Sequence, residues 1–124
     1  VALTDEAYRA MIVFRGYIEA LAADPFPHYG VSTGFGALAT HFIPVHQRAR
    51  MQQAVVRSHT AGAGAEVAAE VVRAMALLRL RTLATGRTGV RPATAAALAK
   101  LLNARLTPVV PEHGTCECCW TAPT

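Results

Sequence analysis

Three groups of residues in this chain could do chemistry. The first is a loop, Tyr29-Gly30-Val31-Ser32-Thr33-Gly34-Phe35-Gly36, with a phenol at its head and three glycines behind it. Glycine reaches φ > 0 and lets backbone approach another surface closely. Such a loop builds core poorly but presents a phenol and backbone N–H groups well. Tyr29 is the loop's candidate for chemistry, and Gly36 a candidate binding residue. The second is His59 in Ser58-His59, just before Gly62 and Gly64. It is either a ligand contact or a charge partner for a helix C-terminus. The third is Cys116, Cys118 and Cys119, packed into Thr115-Cys116-Glu117-Cys118-Cys119-Trp120.

Each group has a plainer alternative. A loop tyrosine often only packs its ring and bonds its hydroxyl. A phenol titrates near ~10, so acting as a base requires a shaped electrostatic site. The remaining histidines, His28, His41, His46 and His113, lack metal-site spacing and read as surface residues. The glycine loop has no Gly-Lys-Ser/Thr ending, which excludes a P-loop. Arg91 before Pro92 reads as part of a structural turn. Three thiols on so short a stretch need a fourth ligand, such as His113, to close a tetrahedral Zn²⁺ or Cu(I) site.

The elements that must position these groups are helical. Thr4-Asp5-Glu6 is a helix start, with a capping hydroxyl and acids in the first turn. Ala7, Met11, Phe14, Ile18 and Leu21 follow at helical spacing, and Pro25 ends the run by pushing Asp24 out of the α region. Residues 37–43 read ambiguously. Pro44 opens a second helix, through Gln47, Met51, Ala54 and Val55 to about Ser58, which Gly62 and Gly64 terminate. The third and strongest helix runs from Glu66 to Thr85, with Val67, Val71, Met75, Leu78 and Thr82 as its stripe. Val72, Leu77 and Leu80 widen that stripe, and Gly86 caps the end. Pro92 starts a fourth helix through Ala96, Leu98, Leu101 and Leu102, ending near Asn103–Leu106. Pro108-Val109-Val110-Pro111 is extended, because two prolines bracket it. The expected fold is therefore all-α, with about four helices and the tyrosine loop. Residues 1–114 form one helical module and residues 115–124 a Cys-rich tail.

Composition narrows the function classes. The 124 residues make one domain at most. The hydrophobic share of 52% against 16% charged argues for a folded chain. Much of that share is alanine, which favours helix and adds little burial. The core is then thin, or another chain covers the apolar faces, so association is expected. The net charge of +4 comes from eleven arginines, Lys100 and eight acids. The arginines are spread along helices and aromatics are few, so no nucleic-acid surface is expected. No apolar run approaches the ~20 residues of a membrane span. No signal-peptide pattern opens the chain, and a cytoplasmic location is the default expectation.

Four motifs occur in a recognisable order: the tyrosine loop, Ser58-His59 before the glycine pair, Gly89-Val90-Arg91-Pro92, and Pro108-Val109-Val110-Pro111-Glu112-His113-Gly114. Together they resemble the N-terminal part of the aromatic amino acid ammonia-lyase family, and histidine ammonia-lyases most, over about residues 3–114. The resemblance implies a mostly α-helical homotetramer with active sites shared between subunits. It implies a methylidene-imidazolone electrophile made by cyclisation of an Ala-Ser-Gly tripeptide. It gives Tyr29 the role of catalytic acid/base and His59 that of substrate contact, pointing to histidine or tyrosine rather than phenylalanine.

The chain departs from the family after Gly114. Cys118-Cys119-Trp120 falls near the tripeptide slot, and Trp120 replaces the glycine whose unhindered nitrogen closes the ring. No cofactor is therefore expected from this chain, beyond a thiolate-bound metal at the tail. Three functions follow as expectations. The first is a scaffold or leader that is not catalytic alone and presents Cys116, Cys118 and Cys119 to a modifying enzyme. The second is a lyase component that lends Tyr29 and His59 to a site completed by a lyase-like chain. The third is a thiolate metal-binding protein. A frame change in a decayed lyase gene, or an engineered end, would also account for the tail.

Overall fold

The first helix begins where the sequence places it. In the computed structural model, which describes residues 1–114, α1 spans Asp5–Ala23. Thr4 Oγ1 accepts from the Ala7 amide at 3.2 Å, and Asp5 and Glu6 sit in the positively polarised first turn. The helix stops at Asp24, whose ψ of 137° is the extended conformation that a following proline imposes. After a 3₁₀ turn at Gly36–Leu38, the other elements are α2 (Val45–His59), β1 (Gly62–Glu66), α3 (Ala69–Ala84), α4 (Pro92–Asn103) and β2 (Pro111–Gly114).

The core is a cluster of Met11, Ala76, Leu80, Leu83, Val90, Ala95, Ala99 and Leu102. It joins α1, α3 and α4. Alanines at 76, 95 and 99 let helix backbones come close, and Arg73 Nη2 donates to the Leu102 carbonyl at 3.0 Å across α3 and α4. Pro92 takes the first turn of α4, as expected. Beyond it, the Leu106 amide bonds the Leu101 carbonyl and the Arg105 amide bonds that of Leu102. That pair of bonds is a Schellman closure, with Arg105 at φ 56° where glycine is usual.

Two expectations need correction. The fold is mostly helical with four α-helices, but it is not all-α. β1 and β2 pair antiparallel in the register Gly62↔Gly114, Ala63↔His113 and Glu66↔Pro111. One extra residue bulges from β1, with Gly64 at φ 95°. The glycines read as helix stops thus form a strand, and α3 starts at Ala69 rather than Glu66. Gly-Ala-Gly-Ala-Glu carries no β-branched residue and no polar alternation, so nothing in its pattern marks a strand.

The second correction is the buried face of α3. Val72, Ala76, Leu80 and Leu83 point inward, whereas Val71, Met75 and Leu78 are exposed. The helix is apolar on both sides, and periodicity cannot say which side the rest of the chain covers. α4 likewise buries Ala95, Ala99 and Leu102 and leaves Leu101 outside. On α1, only Met11 of the expected stripe is fully buried.

Candidate functional site

Tyr29 sits at the head of a loop that is locked from within. Ser32 and Thr33 are 0% and 1% exposed, and their hydroxyls bond the loop's own backbone. Ser32 Oγ accepts from the His28 amide at 2.8 Å, and Thr33 Oγ1 accepts from the Gly30 amide at 3.2 Å. Thr33 Oγ1 donates in turn to the Gly34 carbonyl. The His28 carbonyl accepts from both the Val31 and Ser32 amides. The Ile43 amide donates to the Ser32 carbonyl and the Gly34 amide to that of His41, which ties the returning strand through a Thr33–Phe42 bridge. Buried polar groups are costly unless partnered, and here the partners are a few residues away.

Glycine is required at two of these positions. Gly30 has φ 70° and packs beneath the Phe35 ring. A Cβ on Gly34 would fall 2.6 Å from Leu38 Cβ, so the 3₁₀ turn closes only over glycine. With the loop so fixed, the phenol faces outward. Tyr29 is 66% exposed and meets Phe35 edge-on, at 6.0 Å between centroids. Gly36 is also exposed, with φ 55° and open space on its Cβ side.

The loop is joined to α1 by a pair that sequence reasoning missed. His28, read as a surface residue, is half-buried, and its Nε2 lies 3.0 Å from Asp24 Oδ2. Asp24 Oδ1 accepts from the Phe26 amide at 2.9 Å. The Phe26 hydrogen bond, followed by the one to His28, holds the Asp24 carboxyl below its ordinary range. The only signal was the spacing Asp24-Pro25-Phe26-Pro27-His28, in which two prolines restrict the path between acid and imidazole.

His59 stands on a different element, in the last turn of α2. Its Nδ1 lies 2.9 Å from the Val55 carbonyl. A carbonyl only accepts, so Nδ1 is the donor in that contact. Ser58 Oγ lies 2.9 Å from the same nitrogen. α2 buries none of its residues. It is anchored by Arg48, whose Nη1 donates to the Ala22 carbonyl at 2.7 Å and whose Nε donates to that of Ile43. The Arg48 guanidinium also lies 5.7 Å from the centre of the Phe42 ring.

The loop and α2 face each other across a groove of about 680 Å³. Gly30 and Val31 line one side, Val56 and Arg57 the other, and Ile18 and Arg15 belong to the lining too. Neither Tyr29 nor His59 lines this groove. The β1–β2 ribbon sets Gly114 opposite Gly62, three positions after His59. His41, His46 and His113 are exposed. Among the described residues, no three His, Cys, Asp or Glu side chains converge to hold a metal ion. Cys116, Cys118 and Cys119 lie outside the described residues. No described helix is long and apolar enough to cross a membrane.

This arrangement has close counterparts. The sequence pattern of the family described as "Aromatic amino acid lyase" matches residues 1–118. A histidine ammonia-lyase of Streptomyces coelicolor is 53% identical over 118 residues, which is 95% of this chain and 23% of that protein. The crystal structure of tyrosine aminomutase from Streptomyces globisporus superposes with a TM-score of 0.86 at 36% identity, over 93% of this chain and 22% of that one. The histidine ammonia-lyase from Trypanosoma cruzi superposes with a TM-score of 0.82 at 34% identity, over 92% and 22%. The chain thus spans under a quarter of the length of these relatives.

Proposed function

The chain belongs to the aromatic amino acid lyase family, corresponding to its N-terminal ~120 residues, and we propose that it lends Tyr29 and His59 to an ammonia-lyase active site. One observation carries this reading. The loop uses its buried hydroxyls to fix its own backbone, while the phenol is left 66% exposed. Tyr29 would take or return a proton at the substrate, with the surrounding charges supplied by polypeptide outside the described residues. His59, in the last turn of α2, would contact the substrate side chain. The Gly62↔Gly114 register sets Gly114 near the end of α2.

The family's electrophile does not fit the residues that fall in its slot. Ring closure needs a glycine nitrogen free of a side chain, and this sequence has Trp120 there. The tripeptide would then come from a lyase-like chain. The exposed apolar residues Ile12, Val13 and Tyr17 on α1, and Val71, Met75 and Leu78 on α3, support a covering partner of that kind or a second copy.

Complementation tests the proposal. The 124-residue chain is mixed with the Streptomyces coelicolor histidine ammonia-lyase lacking the segment that corresponds to residues 1–114 of this chain but retaining its tripeptide. Ultraviolet absorbance of an unsaturated acid, formed from L-histidine only in the mixture, is the expected result. Association without product formation would count against it. The leader and thiolate-metal readings rest on the sequence of residues 115–124 alone. Mass spectrometry and metal analysis of the natively expressed chain would test them.

A further inference from the structure

Resting on the reading of Tyr29 as the residue that meets substrate, we infer that Asp24 and His28 are positioning residues for its phenol. The argument is geometric. A peptide unit is planar, so a side chain's direction is set once the planes on either side of its Cα are fixed. The plane before Tyr29 contains the His28 carbonyl, held by the Val31 amide at 3.1 Å and the Ser32 amide at 2.9 Å. The plane after it contains the Gly30 amide, held by Thr33 Oγ1 at 3.2 Å. Both flanking planes are therefore pinned, and the Cα–Cβ bond of Tyr29 has a set direction within the loop.

These bonds are all internal to the loop. They fix the phenol relative to Ser32 and Thr33, but not relative to the helices. The imidazole of His28 supplies that second reference. His28 is covalently next to Tyr29, its amide is bonded to Ser32 Oγ, and its Nε2 reaches Asp24 Oδ2 at 3.0 Å. Asp24 is the residue at which α1 ends, and its other oxygen holds the Phe26 amide. The direct path from α1 to the residue beside the phenol thus runs through one carboxylate and one imidazole, while a longer one runs from the Ala22 carbonyl through Arg48 and Ile43 to the Ser32 carbonyl. The pair is partly shielded, with side chains 33% and 29% exposed. Its effect is expected on the placement of Tyr29 more than on global stability.

The test uses nuclear magnetic resonance on the full 124-residue chain, with the Tyr29 ring signals assigned by Tyr29→Phe. His28→Ala should move the ring signals toward those of an unstructured tyrosine and speed amide exchange at Val31 and Ser32 by about threefold or more. His28→Gln, whose carboxamide N–H can still reach Asp24, should restore both. Asp24→Asn keeps an acceptor for Phe26 while removing the second carboxylate oxygen. Because the new amide N–H can donate to the imidazole in its other tautomer, the variant should shift the signals toward those of His28→Ala without exceeding them, and the double variant should go no further than His28→Ala. Wild-type ring signals in His28→Ala would overturn the inference. So would a His28→Gln variant as displaced as His28→Ala, which would assign the effect to ring packing. These signals are read without turnover, so their outcome is separable from whether the complemented site forms product.

Discussion

The Tyr29 ring stands edge-on to Phe35, with the planes at 82° and the centroids 6.0 Å apart. Phe35 in turn covers Gly30, so one aromatic ring braces both the phenol and the turn behind it. Edge-to-face pairs contribute about 0.5–1.5 kcal/mol beyond their buried area, and one this exposed belongs at the low end. A double-mutant cycle of Phe35→Ala with Tyr29→Ala in urea should give a coupling of about 0.5 kcal/mol. Additive losses would mean that the contact does not brace the phenol.

The pH dependence of the loop follows from Asp24. Its folded-state pKa is lowered from 3.8, first by the Phe26 amide and then by His28. The unfolded chain therefore binds the proton more readily than the folded one. The contribution of Asp24 is fully present above the unfolded value and is lost as pH falls through the lower folded value. Amide protection at Phe26 should stay level down to about pH 4 and fall below it. In Asp24→Asn this acid-induced loss should disappear.

Arg48 holds α2 against α1 by two hydrogen bonds to carbonyls on different segments. A lysine carries the same charge but cannot present two donors in a fixed fork. Arg48→Lys should lower stability by about 1–2 kcal/mol, the scale of a hydrogen bond from a charged donor. Denaturant melting checks the loss. Hydrogen exchange should rise in α2 while α3 and α4 stay protected, because none of the α2 residues belongs to the core cluster.

Arg105 closes α4 at φ 56°, where a Cβ is strained. Arg105→Gly should stabilise the chain by about 0.5–1 kcal/mol, the left-handed penalty less the added backbone entropy of glycine. A lower denaturation midpoint would show that the arginine makes a compensating contact.

How much of this was legible depended on where the cause lay. Local causes could be read: the Thr4 cap, the stop at Asp24-Pro25, Pro92 opening α4, and the glycines that let the Tyr29 loop turn. Causes that need a partner in space could not. Val71, Met75 and Leu78 have the same helical spacing as a core stripe, and only the position of α4 shows that Ala76 and Leu80 face inward. β1 exists because β2 returns beside it some fifty positions later. His28 looked like a surface histidine until the fold brought its ring to Asp24. The family resemblance rested on four motifs in order and supplied roles for Tyr29 and His59 that spacing alone does not give.

The central claim is that Tyr29 handles a proton at a lyase site. The most direct measurement compares wild-type chain with Tyr29→Phe in the complementation mixture, at matched and measured association. Loss of the phenolic hydroxyl should lower kcat by about a hundredfold or more with little change in KM. Turnover within about twofold of wild type would contradict the account.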